Sequence, residues 1–286
     1  MPDPVQDVAI RRPSPALAPY IERYIGYRMS GFPAGIHRGL PSRLLTFIIS
    51  LDGPVEMLPP VGADARPVGR TSVTSMDAFV GGLDLCMTPI RHNGRQHGIA
   101  IELTPLGAGV VLGVPAGALV REVVPLTALL GARGRELIGR LHDAAGWPAK
   151  FAVLDAVLGR TLHERFAPAA EVAHAWSLLH DSPDGLDVAR LAREVGWSRR
   201  TLSQRLRQDI GYPPRQLDRL FRFGRSRSLI QRGHLPTLTD VALQAGYFDH
   251  AHLVHEWQKL AGCTPTEWLA EVLPPVQDEQ PAPDQY

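Results

Sequence analysis

The carboxy-terminal part of the chain is written twice. Slid along itself by 50 residues, it sets Leu191, Ala192 and Gly196 over Val241, Ala242 and Gly246. Past those glycines the offset becomes 51, pairing Ser198 with Asp249, Leu202 with Leu253, Leu206 with Trp257, Gly211 with Gly262, Pro214 with Pro265 and Leu217 with Trp268. One residue has been added within the second turn. A repeat of this length means that each copy is one supersecondary unit, which restricts the choice of fold sharply.

Each copy reads as a short helix, a glycine turn and a second helix opened by a capping residue. Val188, Leu191, Ala192 and Val195 form an i, i+3, i+4, i+7 stripe behind Asp187, and Leu238, Val241, Ala242 and Ala245 do the same behind Thr237. Thr237 with Asp240, and Thr264 with Glu267, resemble capping boxes. The helices after the turns begin at Ser198 and Asp249 and bury Leu202, Leu206 and Ile210 in one copy and Leu253, Trp257 and Leu260 in the other. Gly196 and Gly246 can take the positive φ that a sharp turn after a helix needs. This is a helix-turn-helix, twice.

Between the copies, Pro214 to Arg232 reads as one helix closed by Gly233, with Leu217, Leu220 and Phe221 inward and Arg215, Arg219 and Arg222 along another stripe. At ~1.5 Å per residue its 19 residues span ~28 Å, near the ~34–36 Å between successive exposures of one groove on a duplex face. Charge points the same way. From Val188 to Lys259 there are 13 basic residues against 6 acidic, a surplus of seven that leaves the remainder at −6 within a chain of net charge +1. Arg199, Arg200, Ser203, Gln204 and Arg207 lie off the Leu202/Leu206 stripe, a face able to contact bases and phosphates.

The chain's 286 residues, at roughly 150 per domain, suggest two domains. A hydrophobic content of 44% with 21% charged residues fits packed cores and not a disordered coat of basic residues. The longest nearly apolar stretch, Pro105 to Val120, is interrupted by Pro115 and glycines and is shorter than a membrane span. The amino terminus lacks the pattern of a secretory signal, and Cys86 and Cys263 are too few for a disulfide framework, so the expectation is a cytoplasmic protein. Short apolar runs between Leu44 and Leu103, punctuated by Pro and Gly, read as strands. Leu137 and Leu141, then Phe151, Leu154, Leu158 and Leu162, with Pro148 opening the second series, read as helices closing the first domain. The fold class expected is α+β: a mainly-β amino-terminal domain with closing helices (1–167), an all-α domain of two helix-turn-helix units joined by a linker helix (168–273), and a loose tail (274–286).

From about Val172 to Val272 the sequence resembles the carboxy-terminal domain of the AraC/XylS family of transcription regulators. The resemblance is strongest in Asp240-Val241-Ala242-Leu243-Gln244-Ala245-Gly246-Tyr247, in Asp249-His250-Ala251-His252-Leu253 and in the closing Gly262-Cys263-Thr264-Pro265-Thr266-Glu267-Trp268. It implies two recognition helices in successive major grooves. The first would carry Ser198, Arg199, Arg200, Ser203, Gln204 and Arg207, with Arg200, Ser203 and Gln204 facing bases. The second would carry Asp249, His250, Ala251, His252 and His255, with His250, Ala251 and His255 facing bases. Arg215, Arg219 and Arg222 would meet the DNA backbone. Trp257 and Trp268 stand where Phe and Tyr are frequent, and the second helix is poor in Arg. The amino-terminal domain resembles the family's sensing domains more loosely, in Leu44-Leu45-Thr46-Phe47-Ile48-Ile49 and Gly113-Val114-Pro115-Ala116; such domains bind small effectors or mediate dimerisation.

Other constellations read as ordinary structure. His252 and His255 share a helix face, but no partner at metal-ligand spacing accompanies them, and His252 suits a capping turn. His37, His92 and His97, with Cys86, match no metal pattern and read as loop histidines. No phosphate-binding loop or nucleophile elbow is present, so neither a cofactor nor a metal nor an enzymatic reaction is expected. The partners expected are double-stranded DNA, a small-molecule effector, RNA polymerase and a second copy of the chain in a homodimer, with no membrane. The rival reading is a small-molecule-binding or enzymatic first domain with a helical protein-interaction module.

Overall fold

A computed structural model describes residues 5–62, 71–163, 166–180, 187–232 and 237–270. Among the described residues ten strands build the first part: β1 (Val5–Arg11), β2 (Ile21–Ser30), β3 (Gly35–Gly39), β4 (Leu45–Ser50), β5 (Val55–Met57), β6 (Thr74–Met76), β7 (Ala78–Gly81), β8 (Thr88–His92), β9 (Gln96–Leu103) and β10 (Val123–Pro125). They form a six-stranded sheet, β1-β2-β9-β4-β7-β10, and a four-stranded sheet, β3-β8-β5-β6. All pairings are antiparallel.

Strand side chains alternate between faces, so register decides what each sheet shows to either side. On one face of the large sheet Leu45, Phe47, Ile49, Val80, Ile99, Ile101 and Leu103 pack beneath the helices. On the other face Ile25, Tyr27, Ile48, Phe79 and Ala100 look toward the small sheet, which answers with Met57 and Ile90. Both faces of β4 are therefore covered, and its sequence is almost continuously apolar. The covering helices are α2 (Leu126–Leu130), α3 (Ala132–Asp143) and α4 (Gly146–Leu158), reached through the short α1 (Pro105–Gly107). They place Leu126, Leu137, Leu141, Phe151 and Leu154 in that core.

The second part is helical: α5 (Ala170–His180), α6 (Val188–Glu194), α7 (Arg199–Asp209), α8 (Pro214–Arg232), α9 (Leu238–Ala245), α10 (His250–Ala261) and α11 (Pro265–Leu269). The β-rich part followed by an all-helical part is the α+β architecture that the sequence suggests. Asp187 caps α6, Thr237 caps α9 and Thr264 with Glu267 forms a complete capping box on α11. Gly196 and Gly246 turn the chain at φ +73° and +86°.

The apolar core does not divide at residue 167. One cluster runs from the large sheet through Leu112, Ala116 and Leu119 into Trp176, Leu191, Leu202, Leu206, Ile210 and Leu217. A second cluster around Phe223, Val241, Leu253, Trp257 and Trp268 takes in Leu40 from the first part. Within it the Trp257 indole donates to Ser226 Oγ (2.9 Å), which donates to the Phe223 carbonyl (2.8 Å), tying α10 to α8. The expected tail 274–286 and Gly233 lie outside the described residues. Among the described residues no helix is long and apolar enough to cross a membrane.

Candidate nucleic-acid interface and ligand cavity

The first interface candidate is α7. Ser198 Oγ accepts from the Thr201 amide (3.1 Å), so the helix starts on a capped turn with its free N–H groups pointing outward. Leu202 and Leu206 are fully buried, which fixes the rotation of the helix. Arg199, Arg200, Gln204 and Arg207 are left exposed and Ser203 half-buried. Arg200, Gln204, Arg207 and Gln208 line a shallow depression along one face. Among the described residues Arg199, Arg200 and Arg207 make no ion pair.

The second unit repeats this with different groups. Asp249 Oδ1 accepts from the His252 amide (2.7 Å), and the Phe248 amide donates to His252 Nδ1 (3.4 Å). The His252 ring also meets Tyr247 edge-on at 5.3 Å. His252 thus belongs to the turn, while His250, Ala251 and His255 stay exposed above buried Leu253, Trp257 and Leu260. Sequence reading passed over Phe248, which is 85% exposed in the same turn.

The arginine stripe of α8 is split. Arg215 is exposed. Arg219 Nε donates to Glu256 Oε2 (2.7 Å), with Lys259 Nζ 3.6 Å from the other carboxylate oxygen. Burial pulls the Glu256 carboxyl upward, but the Arg219 hydrogen bond and charge outweigh it and hold it below the usual carboxylate range. Arg222 lies 3.0 Å from Asp218 Oδ2, is 16% exposed, and sets its guanidinium over the Tyr247 ring at 5.3 Å. Arg225 donates to the Ala245 carbonyl (3.3 Å). Arg219 and Arg222 therefore join α8 to the second unit, where the sequence suggested phosphate contacts. The signal for Arg222 was present in Asp218, four residues earlier on the same helix; the Glu256 contact comes from another helix and leaves no local trace.

Both units are held by the first part of the chain at equivalent positions of the repeat. In the first, a Cβ at Gly117 would fall 2.3 Å from the Gln208 carbonyl oxygen, and one at Gly211 would fall 2.2 Å from Val120 Cγ2. Only glycine backbones permit this approach, and Gly211 also has φ +117°. Next to it the Tyr212 hydroxyl donates to the Leu83 carbonyl (3.3 Å). In the second, Arg38 Nη1 donates to the Ala261 carbonyl (3.3 Å), and Gly262 faces Arg38 and Met87. Gly211 and Gly262 are repeat equivalents, so segment Leu83–Met87 touches the same corner of each unit.

A cavity of about 530 Å³ opens between the two sheets. From the large sheet Tyr27, Thr46, Ile48, Ser50 and Phe79 line it, and from the small sheet Met57, Thr88, Ile90, His37 and His92. Arg38, Asp84, Cys86 and Arg121 line the side next to the helical units. His37 and His92, expected as loop residues, stand on β3 and β8 with rings 5.7 Å apart. His97, expected likewise, is on β9 with its ring edge-on to Trp147 at 5.7 Å. The misreading arose because β3 and β8 are short and carry Gly, Pro and His where alternating apolar residues mark a strand. Burial, reinforced by His92, pushes His37 down to about 4, and Gln96 Nε2 sits 3.2 Å from its Nδ1. Burial lowers His92 as well. Among the described residues no three His, Cys, Asp or Glu groups are placed to hold a metal ion.

Residues 191–271 match the family model described as a helix-turn-helix domain. No curated protein matches the chain. Of solved structures, ToxT from Vibrio cholerae is similar over 92% of this chain and 97% of its own, at 12% identity and a TM-score of 0.52. ToxT from the same organism with unsaturated fatty acid bound is similar over 94% and 95%, at 9% identity and 0.50. A Chromobacterium violaceum transcriptional regulator with an AraC-type DNA-binding domain is 26% identical over 39% of this chain and 95% of its own, with a TM-score of 0.33.

Proposed function

We propose that the chain is a DNA-binding transcription regulator of the AraC type, read through the helix-turn-helix domain matched at residues 191–271, in which α7 and α10 enter successive major-groove segments while the cavity holds a small effector. The observation that carries the reading is the division of α7. Its leucines are buried to completion, and its exposed face presents Arg200, Gln204 and Arg207 without acidic partners. Arg200, Ser203 and Gln204 reach base edges, Arg199 and Arg207 the flanking phosphates, and the capped amino terminus adds N–H donors. His250, Ala251 and His255 do the corresponding work on α10, with Ser198 and Asp249 as caps. Arg215 meets the DNA backbone, while Arg219 and Arg222 position the second unit against α8.

Residues 1–167 form the sensing part and 168–273 the reading part. Occupancy of the cavity reaches the duplex through the two grips. Asp84 and Cys86 line the cavity from the segment whose ends, Leu83 and Met87, touch the two units. A relative of the same fold described with unsaturated fatty acid bound supports a small molecule in the first part. RNA polymerase and a second subunit complete the partners, and the protein acts in the cytoplasm.

Selection of duplexes from a random pool by the full chain tests the reading. Two conserved segments one helical turn apart are expected, about 10 base pairs centre to centre, and inserting ~5 base pairs between them should abolish the gain from the second. A pool that shows no enrichment would overturn sequence-specific reading, and enrichment indifferent to the insertion would overturn two-segment reading.

A further inference from the structure

We infer that the cavity selects an uncharged, mainly apolar molecule bearing one neutral hydrogen-bonding group, and rejects carboxylates and amines of the same shape. The inference rests on the reading of the first part as effector-binding and specifies its ligand. It comes from strand register. Cross-strand partners share a face, so Tyr27, Gly98 and Ser50 form one inward row, Ile48, Phe79 and Ala100 the next, and His37, Ile90 and Met57 the facing row. None of these positions holds Asp, Glu, Lys or Arg.

The charged residues that border the cavity belong to outward positions, turns and the rim, and the cations among them are engaged. Arg91 pairs with Glu56, Arg95 lies 3.6 Å from Asp52, Arg121 lies 3.9 Å from Asp84, and Arg38 donates to Ala261. Glu122 adds a further acid. A ligand carboxylate would leave water without a cation ready to receive it, and an ammonium would face the neutral rows; either is disfavoured by desolvation.

What the interior does offer is neutral polarity. Tyr27 is only 6% exposed, lines the cavity, and its hydroxyl, lying over Gly98, has no hydrogen-bond partner among the described residues. Burial raises it well above the usual phenol range, so it donates as a neutral group. Ser50 is next in the same row, and the neutral His37–Gln96 pair stands on the wall. An alcohol, ketone or amide can take the Tyr27 proton in a hydrogen bond while its apolar body lies along Ile48, Phe79, Met57 and Ile90.

The test compares 1-decanol, decanoate and decylamine as probes of the full chain by tryptophan fluorescence titration. At pH 7.5 decanol is expected to bind at least tenfold more tightly than either ion. Decanoate should then gain about tenfold in affinity per unit fall in pH from 8 to 6, because only its protonated form enters, while decanol stays flat. The titratable uncharged groups lining the cavity are Tyr27, His37, Cys86, His92 and His97, the last also lowered by burial. Burial, with His92, lowers His37 to about 4; burial also lowers His92 and raises the Cys86 thiol and the Tyr27 phenol. The charged residues bordering the cavity are Asp52, Glu56, Asp84, Glu122, Arg38, Arg91, Arg95 and Arg121. Tyr27→Phe, or Ser50→Ala as the second variant, should weaken decanol severalfold without altering the melting temperature of the free protein. Decanoate binding as tightly as decanol, with no dependence on pH, would overturn the inference. Failure of all three probes would do so too, and filling the cavity with Ser50→Phe then separates the cases: a changed affinity for the selected duplex leaves effector gating standing. Decanol binding with no effect of Ser50→Phe on the duplex would leave the ligand class standing and remove the gating.

Discussion

Arg200 and Arg222 lie in the same domain and differ in what surrounds them. Arg200 is exposed on α7 without an ion pair among the described residues, whereas Arg222 has Asp218 beneath it and the Tyr247 ring beside it. Arg200→Ala should therefore cost about 1–3 kcal/mol on the selected duplex and relax base preference at one position. Arg222→Ala should leave the salt dependence of binding unchanged, since it neutralises no phosphate. Mobility-shift titrations over a range of salt concentrations check both; equal weakening by Arg200→Ala on every sequence would reassign that residue to the backbone. His37 permits a second prediction. Its folded value of about 4 lies below the ordinary 6.5, so between those values the unfolded chain binds the extra proton. The stability it contributes is complete above about 6.5 and is lost as the pH falls toward 4, by about 2–3 kcal/mol. Urea midpoints at pH 7 and 4.5 should show this loss, and His37→Gln should remove most of it; a variant with the parent's pH profile would refute the assignment. The sequence disclosed the caps and the buried leucines because these follow helix periodicity. It hid the neutral state of His37, which depends on a wall of residues from β8 and β9.

At the scale of elements, the helices were legible and the strands only partly. Stripes at threes and fours locate α6, α7, α9 and α10 from the text alone, since each amphipathic face is a local property. β4 and β9 stand out as apolar runs. β1, β2 and β3, which precede Leu44, were not read, and β8 runs Thr-Pro-Ile-Arg-His, so its strand character comes from pairing with β3 and β5. The contact between the Ala116–Leu119 turn and the end of α7 was also invisible, because it joins segments about 90 residues apart in sequence. It carries a prediction of its own. Gly117→Leu would drive a side chain into the Gln208 carbonyl, costing about 1–3 kcal/mol in urea unfolding. Hydrogen exchange of the amides around Gln208 to Tyr212 should accelerate; unaltered exchange would mean that this contact does not restrain α7.

For the whole molecule, one apolar cluster runs from the large sheet to α8, so the two parts share a large portion of their packing. Leu40 and Leu85 extend the connection to the second helix-turn-helix unit. Thermal unfolding followed by circular dichroism and by tryptophan fluorescence should therefore give one coincident transition. Two separated transitions would show that the interface between the parts is weaker than its packing implies. The β-rich start and helical remainder were readable in the change from Pro/Gly-punctuated runs to helical spacing at Leu126. The shared core was not, since a sequence states which residues are apolar without stating which surfaces they meet.

β3 is five residues long, and neighbouring side chains on it serve different masters: His37 looks into the cavity and Arg38 grasps the end of α10. Under the proposed gating, a molecule that pushed the imidazole outward would act on the very strand that holds the guanidinium. Were a filled chamber to speak to the second unit in this way, input and output would lie one peptide bond apart, with no relay of intervening side chains between them.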